Sequence, residues 1–98
     1  MSYEVVFTPG ADSDLDEIER YLALRFSVRN AERYVDRIVR FCKSIALAPY
    51  RGTALNGLHP ALRTVGMERR VTIQFRVKET QVMILGVYYA GRPIERER

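Results

Sequence analysis

Hydrophobic positions change period twice along this chain. Tyr3, Val5 and Phe7 share one parity and predict a short strand over residues 3–8. From Ala11 the spacing becomes three and four: Ala11, Leu15, Ile18, Leu22 and Phe26 form one stripe of a helix. Thr8 suits the N-cap of that helix and Pro9 its first position. Ser27-Val28-Arg29-Asn30 breaks it and caps a second helix, marked on one face by Ala31, Tyr34, Val35, Ile38, Phe41, Cys42, Ile45 and Ala48. Pro49 is expected to end the second helix. So short a joint predicts an antiparallel αα-hairpin.

The period then returns to two. Residues 50–60, with Gly52, Asn56-Gly57 and Pro60, read as a loop. A short strand is expected over Ala61 to Val65 and a turn at Gly66-Met67-Glu68. In the run from Arg70 to Lys78, Val71, Ile73, Phe75 and Val77 take one face, while Arg70, Thr72, Gln74, Arg76 and Lys78 take the other. Lys78-Glu79-Thr80-Gln81 reads as a polar hairpin turn. The last strand, Val82 to Tyr89, is apolar on both parities: Val82, Ile84 and Tyr88 on one, Met83, Leu85, Val87 and Tyr89 on the other. A strand of that kind calls for cover on both faces, yet its neighbour offers one face that is basic. The fold class is α+β: an N-terminal strand, an antiparallel αα-hairpin and a three-stranded antiparallel meander, with the helices on one face of a single sheet. The other face mixes arginine with uncovered apolar surface and expects a partner.

Length and charge sharpen this picture. Ninety-eight residues make one domain, 1–98. No apolar run approaches the roughly 18 residues of a membrane span, and the N-terminus lacks a basic segment leading into an apolar one, so a cytoplasmic protein is expected. Residues 1–19 hold six acids and no Lys or Arg, so residues 20–98 hold 16 bases against six acids, a net of +10. Fourteen of those bases are arginine, whose fork binds carboxylate and phosphate bidentately, so the partner is expected to be acidic.

Several residues invite a chemical reading. The acids at 12, 14, 16, 17 and 19 lie in the first turns of a helix, where they complement its dipole; no metal site is expected of them. Arg29, Arg33, Arg37 and Arg40 read as a solvated helix face. The single cysteine, Cys42, excludes an internal disulfide and reads as a core thiol, and the single histidine, His59, as a solvated loop residue. No phosphate-binding glycine motif is present, and no cofactor is expected. Tyr88 and Tyr89 face opposite sides of their strand, and parity leaves open which of them is core. Arg70, Arg76 and Lys78 are expected on one strand face, at roughly 6.6–6.8 Å per two residues, as contacts for carboxylates.

The order of elements resembles the ParE branch of the ParE/RelE toxins of bacterial type II toxin–antitoxin modules, over about residues 3 to 95. The resemblance rests on Val5-Val6-Phe7-Thr8-Pro9 leading to Ala11, on Asp14-Leu15 with Ile18 and Tyr21, and on Ala31 with Tyr34. It continues through Pro49-Tyr50-Arg51-Gly52, Leu62-Arg63, Arg69-Arg70-Val71 to Phe75-Arg76, and Ile84-Leu85 to Ala90-Gly91-Arg92. It implies a toxin, not itself an enzyme, of a plasmid-stabilisation type of module. A ParD-like antitoxin with an acidic amphipathic C-terminal segment would wrap around it in a hetero-oligomer. Freed, the toxin would bind DNA gyrase and trap cleaved DNA. The antitoxin contacts expected on this reading are Arg63, Arg70, Arg76, Lys78, Met83 and Leu85; the gyrase contacts are Tyr89, Gly91, Arg92, Pro93, Ile94 and Glu95, at the end of the chain.

The RelE branch shares the fold and cleaves ribosome-bound messenger RNA. Such chemistry must activate a 2′-hydroxyl, stabilise charge on phosphate and protonate the leaving oxygen, and its candidates here are Arg63, Arg92, Tyr88, Tyr89 and His59, the last without a partner histidine or acid to work with. RelE-like enzymes carry a tyrosine a few residues beyond the second of these arginines, where this chain has Pro93-Ile94-Glu95-Arg96-Glu97-Arg98; the basic pair of the preceding loop is also missing from Leu55 to Pro60. A RelE-like ribonuclease therefore stands as the alternative to the gyrase poison, with an inactive relative that still binds antitoxin as a third reading.

Overall fold

The computed structural model describes residues 3–54 and 62–90. Within them the chain runs β1 (Glu4–Phe7), α1 (Pro9–Arg25), α2 (Val28–Ser44), a 3-10 turn (Ile45–Leu47), β2 (Thr53–Ala54), β3 (Leu62–Met67), β4 (Val71–Lys78) and β5 (Gln81–Tyr89). The strands form one sheet in the order β1-β5-β4-β3-β2. Strands β2 to β5 pair antiparallel, whereas β1 lies parallel to β5, so the last strand returns beside the first. The expected α+β architecture is present, with both helices on one face.

Local chemistry explains the helix starts. Thr8 caps α1 by accepting the Ala11 N–H at 3.2 Å, and Pro9 follows, where its missing N–H costs nothing. The Thr8 hydroxyl also donates to the Ile84 carbonyl at 2.9 Å, pinning the β1–α1 corner onto β5. Ser27 caps α2 by accepting the Asn30 N–H at 3.1 Å. The two apolar stripes meet the sheet: Ile18, Leu22, Ile38 and Ile45 pack with Ile73, Phe75, Ile84 and Val87 in the buried core.

Three expected boundaries shift. Phe26 leaves the apolar stripe, because it ends α1 and its side chain is 65% exposed. Helix α2 ends at Ser44, not at Pro49: the Ser44 hydroxyl donates to the Phe41 carbonyl at 2.6 Å, and the chain tightens into the 3-10 turn. The stretch read as a loop holds β2, which extends the sheet beyond the meander by pairing Thr53 with Thr64. Gly52 admits it, since at φ +80° a Cβ would lie 2.1 Å from the Thr64 carbonyl oxygen.

The turn expected at Gly66-Met67-Glu68 falls later. Strand β3 continues to Met67, and the chain reverses over Glu68, Arg69 and Arg70. Glu68 and Arg69 take the left-handed conformation, with φ of 52° and 71°. Neither is a residue that favours it, so no glycine or asparagine marked the turn in the sequence.

The main departure lies in β5. Phe75 pairs with Ile84 but Gln74 pairs with Gly86, leaving Leu85 as an extra, bulged residue. The bulge reverses the parity of everything after it. Val82 and Ile84 face the helices before it; Val87 and Tyr89 face them after it. The strand that reads as apolar on both parities is therefore mostly one apolar face interrupted by an insertion.

Candidate functional site

Register divides the polar side chains between two surfaces. On the sheet face away from the helices, Arg76 stands in line with Leu62 on β3 and Met83 on β5, and Met83 is in register with Val6 on β1. Lys78 and Gln81 pair at one end of this face, where Gln81 donates to Glu4 at 3.4 Å. At the other end the Tyr88 ring lies over Gly86, since a Cβ there would meet the phenolic oxygen at 2.7 Å, and its hydroxyl donates to the Gln74 amide oxygen at 3.3 Å. The Arg76 Nε is buried and has no hydrogen-bond partner among the described residues. A guanidinium N–H shielded from water and unpaired is costly.

Arg63 and Arg70 do not join this face. Arg63 is opposite Phe75 on the helix-side face, and its guanidinium donates to the carbonyls of Arg51 at 3.0 Å, Tyr50 at 2.5 Å and Gly52 at 3.2 Å. It holds the segment that leads into β2. Arg70 was expected in line with Arg76 and Lys78, but β4 begins only at Val71, and Arg70 belongs to the left-handed turn, which breaks the alternation.

Arg70 instead lines a hollow of about 350 Å³ beside the hairpin, with Leu22, Phe26, Asn30, Tyr34, Glu68 and Tyr89. Tyr89 is the helix-side member of the tyrosine pair. Its ring meets Tyr34 edge-on at 5.8 Å and Tyr21 at 6.1 Å. Arg37 lies over the Tyr34 ring at 4.8 Å and forms an ion pair with Glu68 at 2.5 Å. Burial, chiefly, pushes the Tyr34 phenol above its ordinary range; Tyr89 and Glu68 add to this, while Arg37 and Arg70 oppose it. This hollow was not legible in the sequence: Arg70, Phe26 and Tyr89 come from three elements whose orientation depends on the turn, the helix end and the bulge.

The described candidates for nuclease chemistry, Arg63, Tyr88 and Tyr89, are scattered. Tyr88 and Tyr89 face opposite sides of the sheet. Arg63 stands opposite Phe75 and Tyr89 opposite Val71, four residues apart along β4 and hence roughly 13 Å. Arg92 and His59 lie outside the described residues, as do Gly91, Pro93, Ile94 and Glu95. Cys42 is fully buried, and burial pushes its thiol up to about 12, which is the opposite of an activated nucleophile. Among the described residues no cluster of histidine, cysteine and carboxylates could hold a metal ion, and no helix is long and apolar enough to cross a membrane.

Among the described residues a helical hairpin covers one side of a mixed sheet and no element covers the other, where Arg76 stands; this is a small α+β domain. The model of the ParE toxin family of type II toxin–antitoxin systems matches residues 5–93, and the chain belongs to that family. It is the toxin of a ParE/RelE-like type II module, the kind of module that pairs a toxin with an antitoxin. Among solved structures it is similar to a chromosomal ParDE toxin–antitoxin system from P. aeruginosa, with TM-score 0.77 and 26% identity over 89% of this chain and 95% of that one. The RelBE2 toxin–antitoxin complex from Mycobacterium tuberculosis shares the fold at TM-score 0.71 and 22% identity, covering 91% of this chain and 99% of that one. A conserved hypothetical protein from Helicobacter pylori shares it at TM-score 0.56 and 20% identity, covering 91% and 96%. No curated protein matches the chain significantly.

Proposed function

We propose that this toxin, a single domain over residues 1–98, inhibits DNA gyrase by binding it and trapping cleaved DNA, and that a ParD-like antitoxin neutralises it in a cytoplasmic hetero-oligomer. The observation that carries the antitoxin side of this reading is the buried, unpaired Arg76 Nε on the helix-free face of the sheet. An acidic amphipathic segment laid across that face supplies a carboxylate for Arg76 and Lys78 and apolar side chains for Met83 and the bulged Leu85. Arg63 and Arg70 serve other surfaces and are left out of the proposed contact. The gyrase side rests on family membership, and its contacts are assigned to Tyr89 and the following residues Gly91 to Glu95.

Binding, not catalysis, is the proposed activity. A ribonuclease needs its acid, base and phosphate-binding groups around one atom, and Arg63, Tyr88 and Tyr89 are dispersed. The test is a gyrase assay with antitoxin-free toxin, scoring supercoiling and cleaved DNA. Loss of supercoiling with accumulated cleavage complex, reversed by antitoxin, is the expected result. Unaffected gyrase together with messenger RNA cleaved on ribosomes would replace this reading with the ribonuclease one.

A further inference from the structure

The tip of the helical hairpin carries large apolar side chains that the core does not use. Leu24, Phe26 and Val28 are 85%, 65% and 62% exposed and lie within five residues. The chain exposes them because Phe26 closes α1 and Ser27 opens α2, so neither apolar stripe runs through this point. Burying one such side chain is worth roughly 1.5–3 kcal/mol, which a neighbouring surface would gain by covering the tip. Phe26 also lines the hollow that holds Tyr34, Tyr89 and Arg70, so tip and hollow are continuous.

The charge at this surface is mostly positive. Arg25, Arg29, Arg33 and Arg70 have no carboxylate within ion-pair distance among the described residues, while Glu68 is already paired with Arg37. Arg25 lies over the Tyr21 ring at 5.5 Å, which leaves its charge free to attract an anion. The surface lies on the helix side of the sheet, away from the face assigned above to the antitoxin. A toxin with two protein partners has use for two such surfaces.

The geometry points to the hairpin tip and its hollow as the docking surface for the toxin's protein target, through an acidic segment that carries one aromatic side chain. The aromatic group enters the hollow beside Phe26 and Tyr89, and carboxylates flank it toward Arg25 and Arg70. This assignment rests on the toxin reading above but not on gyrase being the target. Leu24 and Val28 favour a protein over a nucleic acid, which offers no apolar surface of matching shape.

The test uses the full chain, a double variant Leu24→Gln with Phe26→Ala, and the single variant Arg70→Glu. Unaltered thermal unfolding shows that each folds. Fluorescence anisotropy then measures binding of a labelled glutamate-rich peptide with one central phenylalanine, the same peptide with alanine there, and a thymidine oligonucleotide. The expected result is a preference of about tenfold for the phenylalanine peptide. The double variant loses that preference, Arg70→Glu weakens both peptides, and both variants lose growth arrest while antitoxin affinity stays within about twofold. No preference in the native chain, variants that arrest growth normally, or a native chain that leaves growth unchanged would overturn the assignment. Antitoxin affinity lost in step with peptide affinity would make the antitoxin the occupant, and tighter binding of the oligonucleotide would make it nucleic acid; either overturns it too. The peptide titration contains no gyrase, so a failed gyrase assay leaves its outcome readable.

Discussion

The carboxylate of Asp14 accepts the N–H of Val87 at 3.0 Å inside the core. Asp14 sits on α1 among acids that complement the helix dipole, yet it alone of them is buried, at 5% exposure. Val87 is the first helix-facing residue after the bulge at Leu85, where the ladder is disturbed. The contact ties helix to bulge and sets the face on which Tyr89 emerges.

Replacing Asp14 with alanine leaves that amide buried without this acceptor. Asp14→Ala is expected to lower stability by about 2–3 kcal/mol, and Asp14→Asn, which keeps an oxygen, by less. Urea unfolding with an unchanged denaturant slope measures both. Equal stability of Asp14→Ala and the native protein would show that the contact contributes nothing.

Arg76 should behave in the opposite sense. Arg76→Met removes a buried, unpaired donor and keeps the length of the side chain. Free-toxin stability is expected to stay level or rise, while antitoxin affinity falls about tenfold and depends less on salt. Calorimetric unfolding of the free toxin and titration with antitoxin at two salt concentrations separate these effects. An affinity that does not change would remove Arg76 from the proposed contact.

The chain end is assigned to the target and not to the antitoxin. Deleting residues 92–98 is expected to abolish growth arrest and to leave antitoxin binding nearly intact. Induction of the truncated chain in cells, beside antitoxin titration of the purified protein, checks this. A truncated toxin that still arrests growth would move the target contact away from the tail.

Cys42 supplies a pH dependence. Its thiol titrates near 9.0 when unperturbed and is pushed up to about 12 by burial. The unfolded chain therefore releases this proton at lower pH than the folded one. The stabilising contribution is fully present well below pH 9.0 and is lost as the pH rises from there toward about 12. Native protein at pH 8 is expected to react with a thiol-specific dye only as fast as it opens, and at once in denaturant. Fast labelling of native protein would contradict the burial.

Much of the fold was legible because it depends on local pattern. The stripe of Ala11, Leu15, Ile18 and Leu22, the caps at Thr8 and Ser27, and the alternation of Val71, Ile73, Phe75 and Val77 all appear where they were expected. The errors fall where local rules give no signal. Glu68 and Arg69 adopt a conformation their side chains disfavour, and Arg70 leaves the strand face as a consequence. Arg63, placed among the antitoxin contacts through the family resemblance, is occupied by three backbone carbonyls.

The sequence by itself determined the order of the two helices and the main strands, and the family, since these follow from periodicity and motif order; from composition it raised only the expectation of an acidic partner. Only the tertiary structure decided which arginines share a surface and which of Tyr88 and Tyr89 faces the helices. A strand has a side-chain period of two, so one inserted residue at Leu85 moves every later side chain to the other face. That insertion is visible only in the pairing between strands, where Gln74 meets Gly86 and Asp14 reaches the amide of Val87.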